Sequence, residues 1–228
     1  YPLTCRKKGD NNGMEEILLN MPEMAKDQSY FSVGGQKVSE NNQLLAYSVD
    51  LVSRRQYTIH FKNLTTGEKY ADQIENTTGG ITWANDNKTI FYTKQDPVTL
   101  RSNQIFKHVL GTPVEKDELV YEEKDETFGC SVYKTKSRKF IMIACYQTLS
   151  TEYRFLDADD PKGTWKVFQT RERDLEYSVD HFEDNFYITT NLDAKNFRLM
   201  KAPLDKTEKS NWTEVIGQGI NGRTIGNL

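Results

Sequence analysis

Few side chains in this sequence of 228 residues have types and spacing suited to chemistry. Two adjacent arginines, Arg54 and Arg55, stand in a short polar gap between an apolar and an alternating run in SVDLVSRRQYTIHFK, and Arg101 stands in a similar gap in QDPVTLRSNQ. Guanidinium forks suit carboxylates and carbonyls. A phosphate or nucleic-acid role is disfavoured, because these loops lack wider basic reinforcement and the net charge is −3. Asp180-His181 has the composition of a catalytic pair, but neighbours in a strand point to opposite faces and cannot easily share a hydrogen bond. His60 and His108 fall at similar places one repeat apart, which reads as structural. The nearest approach to a nucleophile elbow, Phe128-Gly129-Cys130-Ser131-Val132, lacks the second glycine of G-x-S-x-G and reads as the opening of a strand. No catalytic residue is assigned.

The acidic stretches Glu115–Glu126, Asp157–Asp160 and Glu172–Glu176 contain no calcium-loop pattern and read as solvated outer strands and turns. Cys5, Cys130 and Cys145 have no CxxC spacing, so neither a zinc site nor a dense disulfide framework is expected. We expect no metal and no cofactor. Free buried thiols point to a reducing compartment, the cytoplasm, with the periplasm left open. Asn63, Asn76, Asn87 and Asn211 match the glycosylation acceptor pattern, although Asn and Thr serve turns equally well. No apolar run reaches membrane-spanning length. Position 1 is Tyr, and Ile225-Gly226-Asn227-Leu228 shows no finishing element, so we expect a piece of a longer protein.

The elements that must carry these residues repeat. Four apolar runs, LLAYSV, TIFYTK, FIMIAC and FYITTN, each follow a polar turn such as Ser39-Glu40-Asn41-Asn42, Ala84-Asn85-Asp86-Asn87 or Lys136-Ser137-Arg138. Each is followed by a loop and an alternating strand: QYTIHFKN, NQIFKHVL, TEYRFLDA and KNFRLMKA. A short charged strand closes each unit, and a small-residue strand such as VGGQKVS, GITWAN or GCSVYKT opens it. The period is roughly 45–50 residues, that of four-stranded propeller blades. Packing blades around an axis buries both faces of every sheet and leaves only short edges. The fold class is therefore all-β, a β-propeller of four-stranded antiparallel blades, with about four blades and a remnant. The expected division is residues 1–26 for the remnant, 27–75, 76–124, 125–173 and 174–217 for the blades, and 218–228 for the start of the next blade or a tail. Blades without neighbours should leave an open arc, with oligomers forming through exposed blade faces. A β-sandwich also spaces short strands evenly, but it needs no motif repeated in one order of polarity.

The stretches YFSVGG, SRRQY, WANDNKTIFY, DPVTL, GTPVEKDELVYEEKDETF and EYSVDHFEDNFYITTN, taken in order, resemble the propeller of the oligopeptidase B (protease II) branch of the prolyl oligopeptidase family of serine peptidases. The likeness runs from about Tyr1 to about Ile216, nearly the whole chain. It implies a seven-bladed propeller gating an α/β-hydrolase domain, which is the partner absent from this chain. It further implies short peptide substrates, cleaved after Arg or Lys by a Ser-His-Asp triad in that domain. The loops between second and third strands would face the catalytic domain, making Arg54, Arg55 and Arg101 candidate walls of a peptide chamber. The alternative is a stand-alone propeller scaffold that binds protein partners.

Overall fold

The computed structural model describes residues 1–218, so the expected segment 218–228 falls, but for Gln218, outside the described residues. The chain opens with a two-stranded ribbon, β1 (Leu3–Lys7) and β2 (Glu15–Asn20), followed by one helical turn, α1 (Met21–Met24), capped by the Asn20 side chain. A seven-stranded antiparallel sheet follows: β3 (Ser32–Val38), β4 (Leu44–Asp50), β5 (Tyr57–Asn63), β6 (Lys69–Trp83), β7 (Thr89–Gln95), β8 (Ser102–Val109) and β9 (Glu118–Glu122). Two four-stranded sheets complete it: β10 (Gly129–Lys134) to β11 (Phe140–Gln147), β12 (Ser150–Asp157) and β13 (Lys166–Gln169), then β14 (Tyr177–Phe182) to β15 (Asn185–Thr190), β16 (Arg198–Pro203) and β17 (Thr213–Ile216). The strands pair in sequence order throughout, which is the propeller-like arrangement. Among the described residues no sheet closes on itself.

Polarity sets each strand's depth. The second strands are buried along almost their whole length, all seven residues of β4 and the first six of β11. Third strands such as β5 bury only alternate residues, and the outermost β17 is exposed throughout. A strand sandwiched between two neighbours must be apolar on both faces, whereas one near the rim needs a single apolar face.

The seven-stranded sheet is two blades fused by β6. Its first half pairs with β5 and its second half with β7, and the register shifts between Thr77 and Ile81. The shift is built from residues that tolerate positive φ, Asn76 at 58° and Gly79 at 88°. Glycine is also required at position 79 because a Cβ there would stand 2.9 Å from the Tyr57 ring. Gly35 lies equally tightly against the Gly79 carbonyl, bringing the innermost strands β3 and β6 together.

Four apolar clusters fill the spaces between successive blades and the opening ribbon, and the largest joins Phe140, Phe155, Phe168 and Phe186 across the last two sheets. Polar pins register the blades. Trp83 Nε1 donates to the Lys37 carbonyl at 2.9 Å, Thr82 Oγ1 to Val132 at 3.1 Å, and Tyr133 OH to Val179 at 2.7 Å. Trp83→Phe keeps the ring and removes one pin, so urea unfolding should show a loss of about 1 kcal/mol.

Candidate functional site

Small residues on the innermost strands leave room between blades. Gly35, Lys37 and Val38 from β3, Gly80, Ile81, Thr82 and Trp83 from β6, and Val132 to Lys134 from β10 line one cavity of about 530 Å³. Its mouth is made by the turns that follow these strands. Glu40 in the first turn reaches across the second to meet Lys134 Nζ at 2.7 Å and Arg138 Nη1 at 3.1 Å. Asn85, from the intervening turn, accepts from Lys134 Nζ at 2.8 Å and donates to the Arg138 carbonyl and the Asp159 carboxylate. One polar cluster thus ties three successive turns together, with Lys37, Lys134, Lys136 and Arg138 outnumbering Glu40 along the wall. Such a lining can hold a peptide through carbonyls and carboxylates.

The loops after the second strands emerge at the opposite end, because the strands are antiparallel. The buried Asp50 carboxylate builds the first of these loops by accepting backbone N–H groups of Val52, Arg54 and Arg55 at 2.8, 3.1 and 2.8 Å. Ser53 and Arg55 take positive φ, and Gln95 Nε2, at the end of β7, donates to the Arg55 carbonyl at 2.6 Å. The backbone is thereby fixed while both arginines are exposed. Among the described residues neither guanidinium makes a hydrogen bond or ion pair. Arg101 differs: its Nη1 donates to the carbonyls of Glu123, Asp125 and Phe128 at 3.2, 3.1 and 2.9 Å, clasping the connector between β9 and β10. None of the three arginines lines the cavity between the inner strands.

Behind Arg101 lies a buried network. Glu123, 4% exposed, accepts from Arg171 Nη2 at 2.5 Å and Tyr121 OH at 2.8 Å, and Arg171 lies over the Phe128 ring at 3.6 Å. A second cluster holds His108, whose Nδ1 is 2.6 Å from Asp117 Oδ1 and whose Nε2 is 3.5 Å from Asp72 Oδ2. The acidic stretch Glu115–Glu126 is therefore not wholly solvated, since Asp117 and Glu123 are spent inside the protein. His60 stacks on Tyr47 at 5.4 Å, and burial lowers its pKa.

Serine, histidine and aspartate do meet at one corner, without forming a relay. His181 Nδ1 lies 2.7 Å from Ser137 Oγ, while the Asp180 carboxylate accepts the backbone N–H groups of Lys136 and His181 and not the ring. Burial lowers the His181 pKa. Gly129 begins β10, so Phe128-Gly129-Cys130-Ser131-Val132 enters a strand and makes no elbow. Cys5 is half-buried, while Cys130 and Cys145 are fully buried, and all three are free. No group of three or more metal-binding side chains occurs among the described residues. No described helix is long and apolar enough to cross a membrane.

The sequence reading missed the Glu40–Lys134–Arg138 cluster. Its signal was present, since the polar turns recur at one place in each unit and must share one end of the fold.

The family model "Prolyl oligopeptidase, N-terminal beta-propeller domain" matches residues 1–220. The dipeptidyl aminopeptidase BI of Pseudoxanthomonas mexicana is 43% identical over 209 residues, covering 91% of this chain and 29% of that protein. Protease 2 of Moraxella lacunata is 35% identical over 222 residues, covering 94% of this chain and 32% of that protein. The structure of oligopeptidase B from Leishmania major superposes with a TM-score of 0.84 at 28% identity, covering 94% of this chain and 30% of that one. The chain thus spans about a third of the length of these relatives.

Proposed function

The chain belongs to the prolyl oligopeptidase family as an N-terminal β-propeller domain, and from that premise we propose that it gates and selects substrate for an oligopeptidase B-like serine peptidase. The observation that carries this reading is the match of residues 1–220 to the N-terminal β-propeller domain of that family. The parent enzyme would place a seven-bladed ring over an α/β-hydrolase domain and cleave short peptides after Arg or Lys. A ring of blades limits what can reach a covered active site, so folded proteins are refused and extended peptides admitted. The free thiols favour a cytoplasmic enzyme.

The test is a length series of peptides with one cleavable Arg bond, assayed with the full-length enzyme beside a folded protein displaying the same bond. Short peptides should be cut and the folded protein spared; equal rates on both would end the gating reading. A second reading comes from the 43% identical relative, named a dipeptidyl aminopeptidase. Release of dipeptides needs a free amino terminus. Blocking that terminus should leave oligopeptidase cleavage intact and abolish dipeptide release.

Arg54 and Arg55 are the chamber-wall candidates this reading favours, because a buried Asp50 holds their loop while their guanidinium groups face outward. Arg54→Ala and Arg55→Ala in the full-length enzyme should raise KM or shift the preferred peptide length, leaving kcat for the shortest substrate nearly unchanged. Unchanged kinetics at every length would leave them as solvated loop residues. Arg101, committed to three carbonyls, is expected to act on the shape of the connector.

A further inference from the structure

Cys130 and Cys145 are register partners on adjacent antiparallel strands, β10 and β11. Residues directly opposite one another point to the same face with Cα atoms about 4.5–5.5 Å apart, within the span of a disulfide. Both side chains are 0% exposed and belong to one apolar cluster, and both thiols are free. Their surroundings differ. Cys145 Sγ donates to Tyr121 OH at 3.2 Å and lies 3.7 Å from Arg154 Nη1, and that guanidinium also covers the Tyr121 ring at 4.4 Å. Tyr121 continues to Glu123 and Arg171, and Arg154 to Glu152, forming a polar seam that reaches solvent where the arginine side chains are 21% and 26% exposed. Cys130 lies in the same cluster with no hydrogen-bonding partner among the described residues.

We propose that Cys130 and Cys145 form a reversible redox pair closed by a small peroxide, with Cys145 as the reacting and Cys130 as the resolving thiol. Cys145 sulfur, its proton released along the polar seam, attacks one peroxide oxygen. The O–O bond breaks, the departing hydroxide takes up the proton that Cys145 released and leaves as water, and Cys145 becomes a sulfenic acid. Cys130 sulfur then attacks that sulfur; the S–O bond breaks, the oxygen leaves as a second water with the Cys130 proton, and the S–S bond forms. Two thiols and one peroxide yield one disulfide and two waters, both electrons passing from sulfur to the peroxide. Burial raises both thiols, Cys145 to about 11 and Cys130 to about 12, so thiolate is scarce at neutral pH and closure is slow; Cys145 is the reacting thiol because the polar seam reaches it. Closure draws Cys145 away from Tyr121 and Arg154, on the strand that leads into the turn at Thr148 and Leu149, at the same end as Arg54 and Arg55.

The test treats the full chain with hydrogen peroxide, alkylates remaining thiols in denaturant, digests and weighs the peptides. The expected product joins the Cys130 and Cys145 peptides, two hydrogens lighter than their sum and separated again by a phosphine reductant. Cys130→Ser should stop at a Cys145 sulfenic acid that dimedone captures. The wild-type measurement needs no variant to fold. Separate sulfinic or sulfonic acids without a cross-link, cross-links to Cys5, or both thiols recovered intact after Cys5 is fully oxidised would each overturn the pairing.

Discussion

Asp117→Ala should cost the chain about 3–5 kcal/mol in urea unfolding, the range for removing one partner of a buried charged pair. Asp117, its side chain 3% exposed, accepts from Tyr92 OH at 2.8 Å and contacts His108 Nδ1 at 2.6 Å. His108 is itself 0% exposed and stacks on Phe61 at 5.8 Å. Deleting the carboxylate leaves a buried imidazole facing only Asp72 and strips the Tyr92 hydroxyl of its acceptor. The same cluster predicts a pH dependence. Burial alone would lower the His108 pKa, but the hydrogen bond and charge of Asp117, joined by Asp72, outweigh it and raise the value above 6.5. Folding therefore favours the protonated ring. Its contribution is complete below the ordinary histidine value and drains away as pH rises through the raised one. Unfolding free energies from pH 6 upward should fall for the wild type and fall less for Asp117→Asn. Parallel curves would assign the titration to another group.

The strand order could be read from polarity because burial on two faces, one face or none leaves a different pattern in each strand. FIMIAC is apolar at every position and falls in the buried part of β11; in NWTEVI the last four residues become the exposed β17, while Trp212 before them packs into the core. The fused strand β6 could not be read, because Asn76-Thr77-Thr78-Gly79-Gly80 carries every mark of a loop. Only the packing of Gly35 and Tyr57 against Gly79 makes it a continuous crossing between blades. Arg101 resembled Arg54 and Arg55 for a similar reason. All three occupy loops after second strands, and nothing local reveals that carbonyls 22 to 27 residues later converge on one of them. The Glu40 cluster joins residues 94 and 98 positions apart. Periodicity says that such turns share an end, while which charges meet depends on blade rotation that no repeat length encodes.

Glu123→Ala should be about as damaging, at about 3–5 kcal/mol, with the opposite pH dependence. Burial pushes the Glu123 pKa up, yet the Arg171 hydrogen bond, the Asp125 N–H, the Tyr121 hydroxyl and the Arg171 charge together hold it below 4.5. Folding therefore favours the carboxylate, and its contribution is complete above the ordinary glutamate value and disappears as pH falls through the lowered one. Glu123→Gln keeps a carbonyl acceptor for Tyr121 but leaves Arg171 without its closest charge, so it should fall between wild type and Glu123→Ala. Damage should concentrate where Arg101 clasps the connector, since Glu123 anchors the segment whose carbonyls that arginine holds. Limited proteolysis of Glu123→Ala should cut first between residues 123 and 128; a first cut elsewhere would show that Arg101 alone holds the connector. Because His108 stabilises the fold on the acid side and Glu123 on the alkaline side, the wild type should be most stable between the two titrations. Asp117→Asn should move that maximum toward higher pH, and Glu123→Gln should move it toward lower pH.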